Sequence, residues 1–148
     1  MQTTNNTIDT AQDVIDSRDV IDRIRALENE QAALIEDRDE AEREGTRDEY
    51  RAAVNALKEW DECEGIELDA LRALAGDASD YAPDWEHGAQ LIRDTYFREY
   101  AEELAEDIGA IDRDAPWPIN CIDWDEAARQ LQMDYTAVDF NGVRYWVR

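Results

Sequence analysis

Carboxylates are the side chains that could do chemistry here in numbers. Asp94, Glu99, Glu102, Glu103, Glu106 and Asp107 recur mostly at three- and four-residue steps, and Asp112 and Asp114 continue the series. On one helix, residues so spaced lie roughly 5–6 Å apart. A DNA strand carries about one charge per 3.4 Å of axis. Carboxylates in that arrangement can stand in for phosphates and hold the Lys and Arg of a nucleic-acid-binding surface. The stretch from Trp85 to Gly109 has only Arg93 and Arg98 to offset them, and the whole chain has one lysine, Lys58.

Other chemistry finds little support. His87 is the only histidine. As a catalytic base it would need a nucleophile and an orienting partner, and its neighbour Glu86 is neither placed by a motif nor joined by a Ser or Cys. A hydrolase built from acids around His87 is the weakest reading, and a histidine in the first turn of a helix the plainer one. Carboxylate-only metal sites take Ca²⁺ or Mg²⁺ from a shaped loop, and the EF-hand spacing is missing. There is no glycine-rich phosphate loop, CxxC pair or HExxH. The sequence predicts a protein that is not an enzyme, with no metal and no cofactor.

The bulk charge agrees. Thirty-eight acids against fifteen bases give −23 over 148 residues. Such a chain is soluble, repels itself and is drawn to positive surfaces. It does not bind nucleic acid directly, since that requires cations to displace counterions. The acids are uneven: residues 66–115 hold 14 acids and 4 bases, whereas residues 1–65 hold 19 and 8. In the N-terminal part Arg18, Arg23, Arg25, Arg38 and Arg43 interleave with the acids, as on an ordinary salt-bridged helix surface. No apolar run approaches the roughly 20 residues of a membrane span. Met1–Thr10 lacks the basic and apolar regions of a signal peptide. A cytoplasmic protein with two free thiols, Cys63 and Cys121, is expected, in the host cell's cytoplasm if a phage encodes it.

The elements that must position the acids follow from periodicity. Residues 1–16 read as a mobile tail and 17–65 as a helical hairpin. Residues 66–148 read as an acidic helical body closed by a β-hairpin, for an α+β, mostly helical fold. Val20, Ile24, Leu27 and Leu34 form an apolar stripe along the first helix, which also fits a homodimer. Gly45 stops that helix, and Thr46-Arg47-Asp48-Glu49 is a capping box for the second. Gly65 interrupts; Ile66–Ala75 is a third short helix, and Trp85–Gly109 the longest helix of the body. Asp123 caps a helix over 124–132. Thr136–Phe140, Asn141-Gly142 and Val143–Val147 form a hairpin with a two-residue turn, pairing Phe140 with Val143, Val138 with Tyr145 and Thr136 with Val147.

The C-terminal part, roughly residues 90–148, resembles ArdA-type antirestriction proteins. The carriers are Phe97-Arg-Glu-Tyr-Ala-Glu-Glu-Leu104, Ile122-Asp-Trp-Asp-Glu-Ala-Ala-Arg-Gln-Leu131, Asp134-Tyr135 and Asn141-Gly-Val-Arg-Tyr-Trp-Val147. Gln130 stands where that family often has Asp, and the N-terminal part resembles an added helical hairpin instead. The family's members are acidic DNA mimics that occupy the DNA groove of type I restriction-modification enzymes. The resemblance implies an inhibitor of a nucleic-acid-binding host-defence complex, of antirestriction or anti-CRISPR type. Its partner would be that complex's basic DNA- or RNA-binding surface. The alternative is a non-enzymatic helical interaction or assembly module of a phage or mobile element, with the apolar stripe carrying the contact.

Overall fold

The computed structural model describes residues 7–112, 114 and 116–148. Two capped helices dominate it. Asp16 accepts a hydrogen bond from the Arg18 backbone N–H and starts α1 (Ser17–Glu44). Thr46 and Glu49 exchange reciprocal hydrogen bonds as a capping box and start α2 (Arg47–Ser79). Such caps satisfy backbone donors that the first turn leaves unpaired. The two helices pack as a hairpin through Val20 and Leu27 on one side and Trp60, Leu68, Leu71 and Leu74 on the other. Arg23 crosses between them to Glu67 with two hydrogen bonds, 2.8 and 2.9 Å.

Four antiparallel strands form one sheet: β1 (Val14–Asp16), β2 (Gln90–Arg93), β3 (Thr136–Phe140) and β4 (Val143–Val147), in spatial order β1-β2-β4-β3. The β3–β4 register matches the expected pairs residue for residue. Its turn places Asn141 and Gly142 at φ 50° and 81°, the left-handed geometry of a type I′ turn. The sheet is covered on both faces. Leu91, Val138, Phe140, Tyr145 and Val147 join the core beneath the α1–α2 hairpin. Ile92 and Trp146 face a second cluster built on α3 (Phe97–Asp107) and α4 (Trp124–Gln132), with Phe97, Ala101 and Ala128 buried. The mostly helical α+β class, the N-terminal helical hairpin and the C-terminal β-hairpin are all present.

The structure corrects several sequence expectations. Residues 7–16 are not a mobile tail. Ile8 is buried, β1 pairs Val14 with Ile92, and the Tyr145 hydroxyl donates to the carbonyls of Thr10 and Gln12, each at 3.1 Å. Residues 1–6 of that expected tail lie outside the described residues. Gly65 does not interrupt the second helix, and the expected third helix over Ile66–Ala75 is part of it: α2 runs through both Gly65 and Gly76 without a break. A glycine inside a helix costs about 1 kcal/mol relative to Ala, which the burial of Leu68, Leu71 and Leu74 between the two glycines outweighs. The expected boundary at 65/66 therefore falls inside one helix.

The long helix expected over Trp85–Gly109 is helical only from Phe97. Before it come a turn, β2 and a 3-10 turn, Asp94–Tyr96. Leu91 and Ile92 are adjacent and both buried, and only a strand sends neighbours into two opposite cores. Finally, the stripe read as a dimer seam is taken up inside the chain: Val20 and Leu27 are fully buried against α2 and the sheet, with Ile24 and Leu34 partly so. Among the described residues, no helix is long and apolar enough to cross a membrane.

Candidate partner-binding surface

Helix α3 owes its orientation to one apolar face. Phe97 and Ala101 are buried, and Phe97 meets the rings of Tyr135, Tyr100 and Trp146 at centroid distances of 5.2, 5.5 and 6.0 Å. At about 100° per residue, Glu99, Glu102, Glu103, Glu106 and Asp107 then fall on an arc of about 140° centred opposite that face. Glu99, Glu103, Glu106 and Asp107 are exposed, and Glu102 is half-buried. Five of the eight expected acids thus share one outward surface about 12 Å long at 1.5 Å per residue. Asp94 precedes them in the 3-10 turn. Asp112 and Asp114 follow in the loop after α3, where residues 113 and 115 are not described.

Several of these carboxylates already have partners. Asp94 accepts from the Trp146 indole N–H at 2.8 Å, and Glu103 accepts from the Tyr96 hydroxyl at 2.8 Å. The Glu103 bond holds the Tyr96 hydroxyl above its ordinary pKa, because losing that proton would cost the bond. Glu102 lies 3.8 Å from Arg98, and Asp112 accepts from the Asp114 backbone N–H at 3.0 Å. Charges engaged this way are held in position, and Asp94, Glu103, Asp112 and Asp114 remain exposed.

The end of α3 is unfavourable by itself. Its last turn holds Asp107 and contains no base, although the C-terminus of a helix carries partial negative charge that favours cations. The sequence reading missed one contributor. Arg98 also reaches Asp125 of α4 at 3.5 Å, so the acidic first turn of α4, Asp125 and Glu126, stands beside α3. The sequence reading singled out only Asp123 there, as the cap of α4.

Other chemistry has little to build on. Among the described residues, no group of three His, Cys, Asp or Glu is placed to hold a metal ion. His87 sits in the turn after α2, not in a helix, and lines an open cavity of about 490 Å³ with Arg18, Arg25, Asp22 and Glu86. Cys63 and Cys121 are both free and exposed. Comparison with protein-family models, with curated proteins and with solved structures found no match to this chain.

Proposed function

We propose that this chain is a non-enzymatic acidic ligand that occupies the basic nucleic-acid-binding surface of another protein, its carboxylates standing in for phosphates. One observation carries the reading: the outward arc of Glu99, Glu102, Glu103, Glu106 and Asp107 on α3, flanked by Asp112, Asp114 and Asp125. A helix surface of like charges repels itself, and a cationic partner relieves that repulsion. Release of counterions from both surfaces adds to the attraction at low salt. The C-terminal resemblance to antirestriction proteins points to a host-defence complex, a restriction enzyme or a CRISPR effector, as the class of target. It also points to a phage or mobile element as the source.

A lysate pull-down with two variants tests it. One variant changes the α3 face, Glu99→Gln with Asp107→Lys; the other changes charge equally elsewhere, Asp139→Asn with Asp134→Lys. All four positions are exposed, and a cation at Asp107 suits the helix end. The α3 variant is expected to lose its captured proteins while the other keeps them. Equal capture by both would leave only bulk charge and defeat the reading.

A further inference from the structure

None of residues 28–59 is buried. The distal half of the hairpin is therefore two helices in contact with no third layer above them. Its apolar residues, Leu34, Ile35, Val54 and Leu57, reach only half-burial, and Tyr50 remains 37% exposed. A two-helix contact cannot cover a wide apolar face, whereas a third helix in the groove can.

One flank of this arm is a groove. Tyr50, Val54, Leu57 and Asp61 repeat at i, i+4, i+7 and i+11 of α2, a single line along the helix. Together with Arg38, Glu42 and Lys58 they line an open depression of about 380 Å³. The line is about 16 Å long, roughly three helical turns. We propose that this groove docks an amphipathic helix of a partner protein, apolar on the face toward Tyr50, Val54 and Leu57 and basic along its edges.

Charge selects that occupant. Residues 28–59 carry eleven acids and five bases. A second copy of the chain would bring two such arms together and repel. On the rim itself, Arg38 is tied to Asp39 at 3.1 Å, which leaves Glu42 and Asp61 to face cations. Lys58 makes the rim mixed, so the partner's bases belong opposite Glu42 and Asp61 and not along its whole length. Apolar anchors at i, i+4 and i+7 are the usual signature of a helix lying in a groove.

This surface is separate from the α3 face, and the test keeps the two apart. The probe is a fluorescein-labelled peptide of leucine and lysine at the helical period, with a scrambled peptide of the same composition, both read by fluorescence anisotropy. The amphipathic peptide is expected to bind at least about tenfold more tightly than the scrambled one. Tyr50→Ser, at an exposed position, is expected to weaken it about tenfold or more with the helix content by circular dichroism unchanged. Glu42→Gln with Asp61→Asn should weaken it and flatten its salt dependence. The α3 variant, Glu99→Gln with Asp107→Lys, should leave it unchanged. Equal binding of both peptides, or no effect of Tyr50→Ser, would overturn the proposal. So would self-association of the chain that Tyr50→Ser abolishes and the peptide fails to displace.

Discussion

The indole N–H of Trp146, on the last strand, donates to the Asp94 carboxylate 52 residues earlier at 2.8 Å. It fastens β4 to the turn that launches α3, and so sets where the acidic face begins. Asp94 consequently has a structural part, tying β4 to the start of α3, besides its charge. Asp94→Ala is expected to lower stability by about 1 kcal/mol and to shift tryptophan fluorescence, while reducing capture of basic partners less than the α3 variant does. Urea denaturation and the same pull-down measure both. A loss of capture with unchanged stability would reverse the assignment.

Gly76 lies inside α2, and an added Cβ there would meet nothing within 4 Å. Gly76→Ala is expected to stabilise the chain by about 0.5–1 kcal/mol, since it removes the flexibility of glycine from the unfolded chain without a clash. A helix that really stopped at this glycine would lose stability on the same change.

Tyr145 is fully buried, and its hydroxyl holds the carbonyls of Thr10 and Gln12. Burial pushes that hydroxyl above its ordinary pKa. Tyr145→Phe is expected to cost about 1 kcal/mol and to speed amide exchange across residues 9–16. If exchange there is already fast in the wild type, the docked N-terminal segment is wrong.

The Arg18 guanidinium hydrogen-bonds to the Asp16 carboxyl and holds it below the usual carboxylate value. A depressed pKa gives stability that is present above the unfolded value, near about pH 4. That stability is lost as pH falls through the lower folded value. Asparagine caps a helix about as well as aspartate, so Asp16→Asn isolates the charge. The wild type is expected to exceed this variant in urea melts at about pH 6 and to match it at about pH 2. A margin that grows on acidification would contradict the pairing.

Local signals explain what was legible in the sequence. The Asn141-Gly142 turn, the Thr46/Glu49 box and the Asp123 cap each lie within a few residues, and all three appear where expected. Two of the four strands did not show. β1 is three residues long, and β2 has two buried neighbours, Leu91 and Ile92, that belong to different cores. β1 is too short to show a period, and β2 carries no alternating pattern because its two neighbours enter cores on opposite faces of the sheet. The apolar stripe of α1 was visible, but periodicity does not say whether its partner is another chain or α2.

The acidic face was half legible for the same reason. Period alone put Asp94, Glu99, Glu102, Glu103, Glu106 and Asp107 on one helix, and all but Asp94 lie on α3. Their surroundings depend on contacts far apart in sequence: Trp146 on Asp94, and Arg98 of α3 on Asp125 of α4. Such pairs leave no trace in spacing.

Displacement by DNA tests the central claim most directly. Proteins captured from a lysate by the immobilised chain would be challenged with duplex DNA at constant ionic strength. If the α3 face occupies nucleic-acid-binding surfaces, DNA should release those proteins, and the released proteins should bind DNA. Retention of the captured proteins at saturating DNA would show that they are held elsewhere, and would contradict the account.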